Sequence, residues 1–196
     1  MILKKNLILG STSRYRAELL RRLQIPFDIV GPNVDESPLA DEKPAGTAIR
    51  LSVAKARSIA KAMPNCLIIG SDQVADLQGT HIGKPGTTAI AREQLRAMRG
   101  HELVFHSGLA LINADTGTVQ SHIVPTTVRF LNFADAEMEH YLEREDALDC
   151  AGSAKSEGLG IALIASMQSD DPTALIGLPL IALTEMLRNE GFGVLA

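Results

Sequence analysis

The segment Cys66-Leu-Ile-Ile-Gly-Ser-Asp-Gln-Val74 constrains this chain more than any other, because an apolar run passes straight into an aspartate. A continuous apolar run of this length reads as a strand buried on both faces. A carboxylate at the end of such a strand is expensive to desolvate unless a cation shares the site. The turn-like Gln78-Gly-Thr80, followed by His81-Ile-Gly-Lys-Pro85, offers one. A hairpin closing near Gln78 and Gly79 returns Lys84 roughly opposite Asp72 and Gln73. A structural ion pair would leave the same pattern, so the pair alone does not decide between architecture and chemistry.

The 196 residues suit one compact domain, or two lobes sharing a cleft, and a hydrophobic fraction of 45% is ample for a core. The net charge of −4 argues against a nucleic-acid polymer as partner but leaves room for one nucleotide, since a few Lys and Arg residues serve a single phosphate chain. Cys66 and Cys150 both sit beside apolar residues and read as buried, reduced thiols. The apolar part of Met1 to Gly10 is too short for a secretory signal, and Ala174 to Leu187 is interrupted by Gly177, Pro179 and Glu185. A cytoplasmic protein without a membrane partner is expected.

The spacing predicts a strand at Leu7–Leu9, then a helix capped from Ser11-Thr-Ser13, with Leu19, Leu20 and Leu23 on one side. A short strand at Phe27–Val30 follows. Pro44 opens a long helix to about Met63, with Ile49, Val53, Ala56, Ala60 and Met63 as its stripe. After the Asp72 hairpin come a helix from about Thr88 to Met98 and two long strands, Leu103–Ile112 and Val119–Leu131, joined at Asp115-Thr-Gly117. A polar helix at Ala134–Arg144, a Gly- and Ser-rich stretch and a helix opened by Pro179 complete the chain. The mixture implies an α/β fold with a long, partly antiparallel sheet.

Four constellations carry possible chemistry. Ser11-Thr-Ser-Arg-Tyr-Arg16 combines a helix start, hydroxyls and two arginines, an anion cradle if it is more than a capped helix. Asn33-Val-Asp-Glu36 offers carboxylates at a strand end, suited to Mg²⁺ or to plain solvation. Lys55 falls in register with Leu51 and Ile59, so it either snorkels outward or points into a cleft, whereas Arg50, Arg57 and Lys61 form a solvent face. Gly152-Ser-Ala-Lys-Ser-Glu-Gly158 embeds Lys155 and Glu157 in small residues, as a ligand loop or a turn. Gly79-Thr-His-Ile-Gly-Lys-Pro85 is one residue short of a Walker loop and ends in Pro, and the five histidines form no zinc pattern.

In this order and spacing, these segments together with Lys55-Ala56, Ser71-Asp-Gln-Val74, Gly83-Lys-Pro85 and Ile176-Gly-Leu-Pro179 resemble the Maf family of nucleotide pyrophosphatases over almost the whole chain. The resemblance implies one domain over residues 1–196, with a Maf/ITPase-like fold of two lobes around a central cleft. It also implies hydrolysis of a nucleoside triphosphate to the monophosphate and diphosphate with a divalent cation, Mg²⁺ or Mn²⁺. By resemblance Asp72 is the proton acceptor, Glu36 and Asp72 hold the metal, and Ser11, Arg16, Lys55, Lys84 and Lys155 bind phosphates. Tyr15, Gln73 and Glu157 stand at the specificity positions. Gln after the catalytic Asp and Glu in the late loop resemble the branch acting on 7-methyl-GTP, a house-cleaning activity, although that branch often has Trp at position 15 and Pro at 14. The dTTP/UTP branch usually has Thr and Gln at the first two of these places. A non-catalytic regulator of septum formation is the rival from another class, and a homodimer is an open assembly.

Overall fold

Strand formation follows the apolar runs closely. The computed structural model describes residues 5–195; Met1–Lys4, part of the segment read above as too short for a secretory signal, lie outside them. The strands are β1 (Asn6–Gly10), β2 (Asp28–Ile29), β3 (Cys66–Leu77), β4 (Thr80–Ile82), β5 (Glu102–Asn113), β6 (Val119–Phe130) and β7 (Ile164–Gln168). The helices are α1 (Arg14–Arg21), α2 (Pro44–Ala60), α3 (Thr88–Met98), α4 (Asp135–Arg144) and α5 (Leu180–Asn189). The Gly- and Ser-rich stretch forms 3-10 turns at Ala151–Ser153 and Leu159–Leu163 before β7. One sheet runs in the order β2-β1-β3-β5-β6-β7, with β4 added on β3. The β2-β1-β3 end is parallel and the rest antiparallel, in agreement with the mixed sheet expected from sequence.

The register of β3 places the opening for a site. On one side β3 pairs continuously with β5 from Leu67 to Asp76. On its other side β1 covers Cys66–Gly70 and β4 covers Ala75–Leu77. Residues 71–74 therefore have no strand on that side, and Asp72 and Gln73 lie in the interval. The hairpin that creates β4 turns at Gln78 and Gly79, both with positive φ, as a two-residue primed turn requires.

Side-chain alternation then assigns the two faces. Leu67 and Ile69 pack with α1 and α5 through Leu19, Leu20, Leu183 and Leu187. Farther along the same face, Leu103 and Phe105 pack with Leu95 and Met98 of α3 and Met138 and Tyr141 of α4. Two cores on one face, separated near Gln73 and Ser107, are the two lobes. On the opposite face Ile8, Ile68, Ala110 and Ile112 meet Ala56 and Ile59 of α2.

Helix α2 lies unusually close to the sheet. A Cβ on Gly70 would stand 2.1 Å from the Ser52 carbonyl oxygen and 2.8 Å from the Ala56 nitrogen. One on Gly108 would stand 2.4 Å from the Ala48 carbonyl oxygen. The buried face of α2 is accordingly Ala48, Leu51, Ser52, Lys55, Ala56 and Ile59. The expected stripe through Ile49, Val53 and Ala60 is only half-buried, and the helix stops at Ala60 rather than Met63. Small residues facing glycines, not the largest apolar ones, set the contact. Gly70→Ala should therefore cost at least about 3 kcal/mol, since the helix backbone itself must move. Gly83→Ala, with nothing within 4 Å of its Cβ, should stay within about 0.5 kcal/mol. Chemical denaturation of both variants measures the difference.

Candidate active site

Close packing of α2 on Gly70 and Gly108 brings its polar residues onto β3. Ser52 Oγ donates to the Ala48 carbonyl (2.7 Å) and accepts from the Asp72 backbone N–H (2.9 Å), tying the helix to the strand. One turn on, Lys55 Nζ reaches Asp72 Oδ1 at 2.6 Å and Glu36 Oε1 at 3.0 Å. Lys55 is 4% exposed and Asp72 6%, whereas Glu36 is open to solvent. The cation matched to Asp72 is thus Lys55 and not Lys84. Strand β4 ends at Ile82, and Lys84 stands exposed on the cleft wall, while the Asp72 side chain faces α2. Arg50, read as a solvent residue, is half-buried and bonds Glu42 at 2.7 Å.

The opposite wall comes from the start of α1. Ser13 caps the helix by accepting from the Arg16 N–H at 3.4 Å. Arg16 then turns inward: Nε donates to the Gly177 carbonyl (2.9 Å) and Nη1 to the buried Ser11 hydroxyl (3.3 Å). Burial pulls its guanidinium down from the ordinary arginine value, and the negative charges of Asp72 and Glu36 oppose that shift. Arginine retains its proton under such opposition, so the site keeps a second fixed cation near Lys55.

Gln73 points to the other face of β3, and its amide orientation follows from its partners. Nε2 lies 2.8 Å from the Leu175 carbonyl, 3.1 Å from that of Ala174 and 2.9 Å from Ser107 Oγ. Ser107 donates to the Ala174 carbonyl at 2.6 Å and so accepts from Gln73. Only an NH₂ group can face two carbonyls, so both Gln73 donors are spent and its Oε1 acceptor remains for the cleft. The sequence suggests a donor and an acceptor there; the structure leaves the acceptor. The loop that supplies these carbonyls is pinned by buried Asp171, which accepts from the Thr173 N–H (2.9 Å) and the Ile181 N–H (2.7 Å).

These groups line one cleft of about 680 Å³. Ser11, Arg16, Glu36, Lys55, Asp72, Gln73 and Lys84 border it, as do Tyr15, Asp149, Cys150 and Glu157, with Tyr15 Oη donating to Asp149 Oδ1 at 3.4 Å. Lys155 does not border it; its ammonium is held by Glu145 and approaches the Tyr15 ring at 5.9 Å. Cys66 is buried, but Cys150 is only partly so. Burial pushes the Cys150 thiol up to about 12, so it is no thiolate nucleophile. Among the described residues no group of three or more His, Cys, Asp or Glu side chains could hold a metal ion. Glu36 Oε1 and Asp72 Oδ1 both contact the Lys55 ammonium, so a divalent cation would bind through the carboxylate oxygens that Lys55 leaves free. That fits Mg²⁺, which takes one or two carboxylates and completes its shell with phosphate oxygens and water.

Comparison with known proteins identifies the family. The family described as "Maf-like protein" matches residues 6–190. The chain belongs to the Maf family. A Burkholderia pseudomallei (strain 1710b) protein named 7-methyl-GTP pyrophosphatase is 57% identical over 189 residues, 95% of this chain and 88% of that protein. Proteins of the same name from Methylobacillus flagellatus and Aromatoleum aromaticum are each 56% identical, over 96% and 94% of this chain and 98% and 95% of theirs. Within this Maf protein, sequence reading did not find Ser52, Ser107, Asp149 or the carbonyls of Ala174, Leu175 and Gly177. The motif Ile176-Gly-Leu-Pro179 marks the last loop, but nothing in it says that its backbone oxygens are the working groups. No described helix is long and apolar enough to cross a membrane.

Proposed function

We propose that this Maf protein hydrolyses 7-methyl-GTP to 7-methyl-GMP and diphosphate. The observation that carries the reading is the buried Asp72, held by Lys55 at 2.6 Å in the wall of a cleft that Tyr15 and Glu157 also line. Water attacks the α-phosphorus, a P–O bond to that water forms, and the bond between the α-phosphorus and the bridging oxygen breaks. Asp72 accepts a proton from the water, and diphosphate leaves with the bridging oxygen. Arg16, Lys55 and Lys84 neutralise the triphosphate, and Ser11 fixes Arg16. Glu36 and Asp72 would hold the divalent cation, which when bound adds neutralisation of the phosphate charge. Lys155 serves the site indirectly, through Glu145 and Tyr15.

At the base end, N7 methylation makes the guanine ring cationic, which favours an aromatic face and a nearby carboxylate. Tyr15 and Glu157 are those groups. Glu157 also accepts from the N1–H and exocyclic amine of guanine, and the free Gln73 Oε1 accepts a further donor. Dense acceptors reject a pyrimidine by leaving polar groups unpaired. The name borne by relatives at 56–57% identity supports the same substrate. The cleft draws on residues from Ser11 to Gly177, which supports reading the chain as a single domain acting on a free nucleotide.

Release of diphosphate with Mg²⁺ or Mn²⁺ tests this. The expected order of kcat/KM places 7-methyl-GTP above dTTP and UTP, and Glu157→Gln erodes that preference more than it slows general hydrolysis. Equal or better use of dTTP moves the chain to the pyrimidine branch. No diphosphate from any nucleotide leaves the non-catalytic regulator as the reading.

A further inference from the structure

The base end already contains a cation. Tyr15 is the one Phe, Tyr or Trp ring on the cleft lining among the described residues. The Arg14 guanidinium carbon lies 4.8 Å from the centroid of that ring, within cation–π range. Its Nη2 donates to Tyr15 Oη at 2.7 Å, and Tyr15 Oη donates in turn to Asp149 Oδ1 at 3.4 Å. The carboxylate nearest Arg14 is Asp149, at 4.0 Å, and both side chains are more than half exposed. Lys155 differs, because its ammonium near the same ring is matched by Glu145.

We propose that Arg14 is a specificity-determining residue that tempers the preference for a cationic base. The proposal rests on the reading of the cleft as a 7-methyl-GTP site. A ring that already faces one cation has less attraction left for a second, and the two positive charges repel across it. A neutral guanine stacking on Tyr15 meets no such repulsion. If Arg14 leaves the ring, the lost bond to Tyr15 Oη burdens both bases alike, so the differential effect comes from its charge. That charge is exposed, and its influence is therefore screened by salt.

The experiment measures kcat/KM for 7-methyl-GTP and for GTP on the full chain, the Arg14→Ala variant and the Arg14→Lys variant. Each is assayed at about 0.05 M and about 0.5 M salt, a range over which screening shortens several-fold. The expected result is a rise of about threefold or more in the 7-methyl-GTP to GTP ratio for Arg14→Ala at low salt. Arg14→Lys keeps the charge and stays near the wild-type ratio. The wild-type ratio climbs with salt, and that of Arg14→Ala climbs less. A merely structural Arg14 would not produce this salt difference. A ratio in Arg14→Ala at or below wild type, or identical salt responses, overturns the proposal while a wild-type preference for 7-methyl-GTP over dTTP still stands. Loss of that wild-type preference overturns the substrate reading and this proposal with it.

Discussion

Asp72→Asn lowers turnover by about 10²-fold or more while the protein keeps its fold. Asparagine preserves the shape and an oxygen for Lys55, which also retains Glu36 at 3.0 Å, so no buried charge is orphaned. What it loses is the capacity to accept a proton from water and a formal negative charge toward a cation. Asp76→Asn is the matched control on the same strand. Asp76 accepts from the Gly79 N–H at 2.6 Å and faces His106, away from the cleft lining. Its variant should keep turnover within a few-fold of wild type and show any effect in stability. Initial rates of diphosphate release, with thermal melts of both variants, separate the two roles. Near-wild-type turnover in a folded Asp72→Asn protein would remove Asp72 from the chemistry.

Much of the frame was legible because its signals are local. The apolar run into Asp72, the Gln78-Gly79 turn and the serine cap of α1 each depend on residues within a few positions of one another. Lys55 shows where that legibility ends. Its register with Leu51 and Ile59 allowed either an outward or an inward ammonium, and the choice is made by Gly70 and Gly108 on strands far away in sequence. Those glycines let α2 approach until Ser52 bonds the backbone of Asp72. The same contact rotated the buried face of α2 from the expected stripe. Lys84 was assigned to Asp72 from hairpin register alone, but strand pairing stops at Ala75 and Ile82, and alternation turns Asp72 toward the helix. The carbonyls that orient Gln73 and Arg16 have no residue signature at all, since any residue in the loop after Thr173 would supply them.

Lys55→Ala should be the most damaging loss among the cations, and its effect divides into two measurable parts. The first is catalytic. Lys55 is the group that lets Asp72 and Glu36 face one point as carboxylates, and it neutralises phosphate charge there, so turnover falls by about 10²-fold. Arg57→Ala, two positions along on the exposed face of α2, should be close to wild type. The second part is stability. Removing Lys55 leaves Asp72, only 6% exposed, without its cation. The expected cost is about 2 to 3 kcal/mol, less than for a fully enclosed orphaned charge because the cleft admits water. Adding Asp72→Asn to Lys55→Ala takes away the unpaired charge, so melting temperature should recover toward that of Asp72→Asn while turnover stays lost. This non-additive stability with no catalytic rescue is the signature of a direct Lys55–Asp72 pair. If Lys55→Ala behaves like Arg57→Ala in both assays, Lys55 points outward in solution and the helix-on-glycine geometry does not build the site.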